Sequence, residues 1–432
     1  MKTIITTIAV FIASIGVYAQ IWTPLTSGST STLFSIDFPT QNVGYTSGSN
    51  GTILKTINEG TTWQSLTSSY PGYFFWDIHF VNADTGFVCG ESNPGTEPAG
   101  LGIILKTTNG GISWTVCMSG AAGPFRDLFV LNQDTVFVCG GAELRYSKIY
   151  KSVDGGTNWT EIGTSTFDRF IGGMYFLNSQ KGFLGDYESG MGTVHPFEAE
   201  WLNTTDGGAS FTSNVIPSST GYWEFSTDFP DQTTGYSTRS KYSNAIVYLR
   251  KTTDGGSNWT ENAISSFTGY IYCLDFIDAN TGYIVGGAGT IKKSNDGGSS
   301  WISETSGTTQ DLHSITFTST TGFAVGGNGT IIKTDLTTGI ADTKNINTVF
   351  ESYPNPFSGS TTINYSISKE EAVELTVVDV LGKKIAIIES SKKSAGKHSA
   401  IWNAETVAEG MYILQLKVDN QILTKKIIIT KK

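Results

Sequence analysis

The sequence predicts an all-β chain in two parts. The first is a seven-bladed β-propeller closed by its own N-terminal strand, and the second is a small Ig-like antiparallel β-sandwich. Three observations carry this expectation. A strand–turn–strand unit recurs seven times, at spacings of 42, 50, 46, 53, 47 and 41 residues. The 432 residues include 50 Gly, with 12% aromatic and only 15% charged residues. The charge balance also breaks near residue 340: residues 20–340 hold 15 basic and 28 acidic residues, residues 341–432 hold 12 and 10. The aromatic content supplies a core that disordered chains lack. Gly and β-branched residues stand where a helical bundle would carry Ala, Leu, Glu and Lys. The net charge of −10 and a pI near 5.0 offer no basic stripe, so nucleic acid is not expected as a partner.

Residues 1–19 read as a signal peptide. Lys2 opens it, Ile4 to Val17 form its apolar stretch, and Val17-Tyr18-Ala19 precedes a cleavage site between Ala19 and Gln20. The apolar run is short of the ~20 residues a membrane span needs and is diluted by hydroxyl residues. No later segment reads as transmembrane. Export makes disulfides possible, but Cys89, Cys117, Cys139 and Cys273 follow no CxxC or zinc spacing. They read as small apolar residues in strands, with a bridge left open.

The repeated hairpins are FPTQNVGYTSG from Phe38, FVNADTGFVCG from Phe80, VLNQDTVFVCG from Val130 and FLNSQKGFLGD from Phe176. They continue with FPDQTTGYSTR from Phe229, FIDANTGYIVG from Phe276 and FTSTTGFAVGG from Phe317. A second element follows the first six: KTINEGTTW, KTTNGGISW, KSVDGGTNW, NTTDGGASF, KTTDGGSNW and KSNDGGSSW, ending at Trp63, Trp114, Trp159, Phe211, Trp259 and Trp301. The Asn58, Asn109, Asp154, Asp206, Asp254 and Asp296 side chains are expected to accept backbone N–H groups across this turn. Gly in the next two places, with Glu59 the exception, permits positive φ. The terminal aromatic anchors the next strand. Periods of ~40–50 residues with four short strands each indicate propeller blades.

The seventh copy stops after Lys333-Thr334. The missing strand is expected from the other end, because WTPLTSGSTSTLFSIDF from Trp22 matches WISETSGTTQDLHSITF from Trp301. Closure by that strand removes the free sheet edges.

The hexad S/T-x-D/N-x-G-x-x-W/F resembles the Asp-box (BNR) repeat of sialidases, sortilin-type propellers and xyloglucan-cleaving glycosidases. The fuller pattern G-T-I-x-K-T-x-D-G-G-x-x-W, with the G-F/Y-x-x-G hairpin, is similar to the photosystem II stability/assembly-factor propellers. The resemblance covers about residues 21–340. It implies that the Asp-box turns are structural and lie on the outer rim. No metal and no cofactor are expected.

After Asp335 a polar stretch, taken as a linker over 341–352, leads to a domain over 353–432 with strands expected at Thr361 to Ser368, Val373 to Val380, Lys384 to Ile388, Ser399 to Trp402, Met411 to Val418 and Ile422 to Thr430. This antiparallel pattern reads as a sandwich. It resembles the type A C-terminal sorting domain of the type IX secretion system through Tyr353-Pro354-Asn355-Pro356-Phe357, Val378-Asp379-Val380-Leu381-Gly382-Lys383, Gly410-Met411-Tyr412 and the strand from Lys425. The resemblance implies type IX machinery as a partner. It also implies export through the periplasm to the surface or exterior of a Gram-negative cell.

Within the propeller, the loops between second and third strands and between blades vary in length, notably Glu91–Leu101, Tyr187–Glu200 and Thr238–Ala245. Variable loops on a rigid ring make that face the candidate binding face. Its expected ligand contacts are Trp76 and Asp77, Arg126 and Asp127, Trp223 and Glu224, Tyr270 and Tyr272, Asp311 and His313, with Tyr187, Glu188 and His195 from the blade-four insertion. Exposed aromatics among carboxylates suit sugar stacking with hydrogen-bonded hydroxyls, and the ligand expected at this face is a glycan or a protein. If the protein is a hydrolase, sialidase-like or xyloglucanase-like, Asp77, Asp127 and Glu224 are the candidate carboxylates. The competing reading is that these aromatics only pack between blades. Five arginines, Arg126, Arg145, Arg169, Arg239 and Arg250, do not form the sialidase pattern, and no HExxH, GxSxG or P-loop occurs. The leading expectation is therefore an exported, non-catalytic binding protein with a monomeric propeller. A hydrolase and an adhesive surface component are the alternatives.

Overall fold

The computed structural model describes residues 22–93, 100–141, 147–167, 170–187, 199–216, 222–241, 246–264, 270–336, 350–355, 357–367, 370–379, 383–418 and 421–430. The chain divides into two compact units, 1–337 and 338–432.

In the first unit seven antiparallel four-stranded meanders form the blades. Their inner strands are Leu33–Asp37, Phe74–Phe80, Phe125–Val130, Phe170–Phe176, Tyr222–Asp228, Ile271–Phe276 and Leu312–Phe317. Each inner strand touches the next, and the seventh touches the first, so the ring is closed. Closure follows the expected route. Thr23–Leu25 pairs with Ile331–Asp335 as the outermost strand of blade seven, with Thr23 opposite Lys333. Trp22 is 2% exposed, and its Nε1 donates to Glu304 Oε2 at 2.8 Å.

The repeat residues explain how the blades pack. The aromatic at the start of each second strand lies toward the residue taken as ending the next blade's inner strand, namely Phe38, Phe80, Val130, Phe176, Phe229, Phe276 or Phe317, of which Phe38 and Phe229 directly follow the last paired residue. Tyr45 stacks on Phe80 at 3.5 Å, Phe137 on Phe176 at 3.7 Å, Tyr236 on Phe276 at 3.5 Å, and Phe323 on Phe38 at 4.2 Å across the closure. The preceding glycine exists because the blade's own inner-strand ring lies against its backbone: a Cβ on Gly44 would sit 2.5 Å from Phe38. Gly86, Gly182, Gly235, Gly282 and Gly322 stand in the same relation to Phe80, Phe176, Phe229, Phe276 and Phe317. Blade three departs at both places together. Val130 replaces the ring and Val136 the glycine, and both are buried. Removing the ring makes the room that the valine fills.

The Asp-box turns are built as expected, with one addition. Asn58, Asn109, Asp154, Asp206, Asp254 and Asp296 each accept the amide four residues on, at 2.8–3.0 Å. The Ser or Thr two residues earlier accepts a second amide, as Thr252 Oγ1 does from Gly256 at 2.9 Å. Glu59 adopts φ 54° in the place the other boxes give to glycine. The motif lysine then ties the blades together: Lys106 Nζ donates to Gly155 O at 2.6 Å and Lys251 Nζ to Gly297 O at 3.1 Å, each in the next blade's box. None of the four cysteines is in a disulfide, and Cys89 and Cys139 are buried.

The second unit is a sandwich of a three-stranded sheet, Phe350–Tyr353, Ser360–Ile367 and Gly396–Asn403, and a four-stranded one, in order Lys384–Lys393, Glu371–Val378, Gly410–Val418 and Gln421–Ile429. Its core includes Phe357, Tyr365, Leu375, Trp402, Leu414 and Ile427. Strand Phe350–Tyr353 begins inside the stretch read as linker, because Phe350 packs on this core and pairs with Tyr365. The sorting-motif residues are largely structural. Asn355 Oδ1 accepts Ile428 N at 2.9 Å, Asp379 Oδ1 accepts Lys383 N at 2.9 Å, and the Tyr412 hydroxyl donates to Ala408 O at 3.0 Å. The Pro354 carbonyl accepts Thr361 Oγ1 at 2.8 Å, Gly410 opens its strand, and Tyr353 is 79% exposed. Pro356, Gly382, Ala19 and Gln20 lie outside the described residues.

The blade-three exception yields a double-mutant test. Gly86→Val alone is expected to destabilise by about 1–3 kcal/mol, from overpacking against Phe80. In a Phe80→Val background the same change should cost at least ~1 kcal/mol less. Urea midpoints of the four proteins check this, and additive effects would contradict the packing account.

Candidate functional site

Six inner strands share a register defect. In blades one, two, three, five, six and seven one extra residue is squeezed against the second strand, and it is always the fourth before the residue that ends the inner strand. These residues are Phe34, Trp76, Arg126, Phe225, Tyr272 and His313. A β-bulge breaks the in–out alternation and re-aims a side chain. Here it occurs near the strand start, on the face carrying the loops between second and third strands and between blades. The opposite face carries the Asp-boxes. In blade four the shift falls later, between Gly172 and Tyr175, and Gly172 itself pairs with Gly185.

Five of the bulge side chains form a continuous ladder around the mouth. Tyr272 and His313 lie 4.8 Å apart between ring centroids, His313 and Phe34 5.6 Å, and Phe34 and Trp76 4.3 Å. The Arg126 guanidinium then covers the Trp76 ring at 3.9 Å. Phe74 flanks Trp76 at 5.8 Å. A buried carboxylate sets this end of the ladder: Glu91 Oε1 accepts Trp76 Nε1 at 2.8 Å and faces Arg126 at 3.1 Å. At the other end Asp311 Oδ1 accepts Ala288 N at 2.8 Å, and Oδ2 lies 3.5 Å from the Tyr272 hydroxyl. Burial lowers the His313 pKa, against the opposing charge of Asp311. Burial and Asp311 together raise that of Tyr272.

Beneath the ladder, side chains staple each blade to the next. Asp77 Oδ2 accepts Leu128 N at 2.9 Å, Asp127 Oδ2 accepts Met174 N at 2.6 Å, and Ser314 Oγ accepts Ile36 N at 3.4 Å. Ser35 donates to Asp77 Oδ1 at 2.7 Å. One layer down, Asp37 Oδ2 accepts Phe80 N at 2.6 Å and Asp228 Oδ2 accepts Phe276 N at 2.8 Å. Desolvation raises the pKa of Asp37, Asp77, Asp127 and Asp275, and pushes Asp228 up to about 6. The charges of Asp127 on Asp77 and of Asp228 on Asp275 add to this.

The structure thus brings together Trp76, Arg126, Tyr272, His313 and Asp311 from the expected set. Asp77 and Asp127, the candidate hydrolytic carboxylates, sit one residue deeper, each with an oxygen engaged by a neighbouring blade's backbone. Tyr270 is 42% exposed outside the ladder. Only the backbone is described for Tyr187, Trp223 and Glu224, with Tyr187 paired to Trp223 between blades four and five. Glu188 and His195 lie outside the described residues. Sequence reasoning passed over Phe34, Phe225 and the role of Glu91. Counting four back from the residue that ends each inner strand finds the first two. Among the described residues no group of three or more His, Cys, Asp or Glu is placed to hold a metal, and no helix is long and apolar enough to cross a membrane.

Comparison with known proteins agrees with this architecture. A family model for photosynthesis system II assembly factor YCF48 matches residues 16–189 and 243–335. A secretion system C-terminal sorting domain matches residues 351–430. YCF48 from Cyanidioschyzon merolae superposes with a TM-score of 0.58 at 21% identity, covering 73% of this chain and 99% of that one. YCF48 bound to a D1 peptide gives 0.56 at 20% identity, covering 72% and 96%. The GH74 xyloglucanase of Xanthomonas campestris gives 0.56 at 12% identity, covering 94% and 68%. At these identities the structures share the fold alone. No curated protein matches the chain in sequence.

The inner carboxylates make a pH prediction. Asp228 has a folded pKa near 6, above the unfolded ~3.9. Its contribution is therefore fully present below the unfolded value and is lost as pH rises through about 6. Between pH 4 and 7.5 the wild type should lose about 1–3 kcal/mol relative to Asp228→Asn, which keeps an acceptor for Phe276 N. Paired urea melts across that range check it, and parallel curves for the two proteins would contradict it.

Proposed function

This chain belongs to the photosystem II assembly factor YCF48 family of propellers and ends in a type IX sorting domain, and from that footing we propose that it is a non-catalytic binding protein that holds a polypeptide segment across the bulge ladder. The sorting domain directs the chain to the cell surface or the exterior of a Gram-negative cell, so its ligand is met outside the cytoplasm.

The ladder is the observation that carries the reading. Carbohydrate sites of the stacking kind present an open aromatic face to a sugar ring. Trp76 is taken by Arg126 from blade three and by Phe34 from blade one. The ladder also carries polar groups, the Arg126 guanidinium, the Tyr272 hydroxyl and His313, with Asp311 beside them. Ring edges carry partial positive charge, and they suit carbonyl oxygens and mixed side chains along an extended chain. A relative of the same fold has been seen with a D1 peptide, which supports a polypeptide over a glycan. The hydrolase reading is weakened because Asp77 and Asp127 already accept blade-to-blade N–H bonds.

The mature full chain, offered a phage-displayed twelve-residue peptide library and a polysaccharide panel with product masses recorded, should enrich peptides and release no products. Trp76→Ala and Arg126→Ala are each expected to weaken an enriched peptide at least ~10-fold, on the scale of an interface hot spot. Glycan binding without peptide binding would overturn the polypeptide reading, and oligosaccharide products would make the protein an enzyme.

A further inference from the structure

We propose that the sorting domain meets a protein of the type IX machinery through an uncharged row on the outer face of its three-stranded sheet: Tyr353, Thr362 and Ile401. The inference rests on the sorting-domain match and is independent of the polypeptide reading of the propeller.

Register puts the three residues side by side. Tyr353 lies opposite Thr362, and Thr362 lies opposite Ile401. Their chain neighbours Ile363 and Trp402 face the other way and belong to the core. Adjacent strands are ~4.8 Å apart, so Tyr353 and Ile401 stand ~10 Å from each other across the sheet. Tyr353 is 79% exposed and Ile401 70%, with a half-buried Thr362 between them. The flanking rows of the same face are polar, Ser360 with Asn403 on one side and Glu351, Asn364 and Ser399 on the other. An apolar centre inside a polar rim is the anatomy of a protein interface, and Tyr is among the residues that anchor one.

The sorting motif supplies a second reason. Of its three aromatics, Phe357 and Tyr412 are buried and Tyr353 is turned to solvent. The fold does not need that ring, because its strand is held by backbone pairing to Ser360–Ile367 and by Phe350 on the core.

The occupant follows from the domain and from its edge. Residues 351–430 match a secretion sorting domain, and the match begins in the strand that carries Tyr353. Ile401 lies on Gly396–Asn403, which ends its sheet and, among the described residues, pairs with Ser360–Ile367 alone. Backbone groups along such an edge are met by another polypeptide, which favours a protein over a glycan or a lipid. The domain's other exposed apolar pair, Ile385 and Ile387, lies in the second sheet. Its strand carries Lys384, Glu389, Lys392 and Lys393, all in ion pairs, so charge surrounds it.

The test uses the full chain in a Gram-negative host with a type IX system, comparing the exported fraction with the periplasmic pool. Tyr353→Lys and Ile401→Lys should together cut export at least ~10-fold, on the scale of an interface hot spot. The purified double variant should melt as the wild type does, because both positions are exposed. Ile387→Lys is the exposed control and should export normally. A photo-crosslinking residue at 401 should form an adduct with a type IX component, identified by mass, and the same residue at 387 should not. Wild-type export of the double variant would overturn the inference, and so would an equal loss from Ile387→Lys. An adduct with a second copy of this chain would overturn it too, making the row a self-association surface. If the lysine variant melts lower, Tyr353→Ser with Ile401→Thr replaces it, and the same two export outcomes decide. Export of a chain cut after residue 349 would overturn the inference together with the sorting role itself.

Discussion

The structure depends on the contact between one blade and the next. A four-stranded twisted sheet cannot bury both faces alone, so each blade is stable only when its neighbours cover it, and the first must meet the last. Here that contact is assembled from the same few residues at every step. The G-Y/F aromatic reaches across to the next inner strand. The motif lysine reaches to the next Asp-box carbonyl and also lies over the ring of its own blade, as Lys106 does over Phe87 at 5.3 Å. The Asp-box turn presents that carbonyl. The most visible sequence motif is therefore a device for joining blades, and its acidic side chains are spent on amides of their own turn.

The inner strands divide their labour by position. Counting back from the residue that ends each strand, the first and third positions hold groups that bond to the neighbouring blade, such as Asp37, Asp228, Asp77 and Asp127. The fourth position is released from that duty by the bulge. Without the extra residue, Trp76 would follow strict alternation and point to the opposite face of the sheet from Asp77. The register defect places a binding-type side chain directly beside a structural one, and repetition around the ring turns isolated aromatics into a ladder.

This explains which parts were legible in the sequence. Seven blades, closure by the strand after Trp22 and the structural role of the Asp-boxes follow from spacing and turn chemistry, which are local and repeated. Trp76, Arg126, Tyr272 and His313 were visible as residue types in the right strands. That they touch one another depends on non-local packing, and that Phe34 joins them depends on a bulge, which leaves no mark in the residue pattern of one strand. Asp77 and Asp127 illustrate the cost of reading types alone: a carboxylate in a propeller's inner strand looks the same on paper whether it faces a ligand or a neighbouring amide. The strand at Phe350 was missed because four residues between polar stretches carry no period.

A repeat protein carries its own control, because each blade shows what the fold requires of the others. Blade three loses the inner-strand ring at Val130 and regains the volume at Val136. Blade four has Asn203 where most blades carry the motif lysine, and Lys181 from the adjoining turn lies over Phe183 instead, at 5.9 Å. Both changes are answered by a second change that restores the contact, which is the mark of a structural constraint. Blade four also moves the register shift itself, to the stretch between Gly172 and Tyr175 that holds Gly173 at φ 61°, so that Gly172 pairs with Gly185 while the strand keeps its contacts with both neighbouring inner strands.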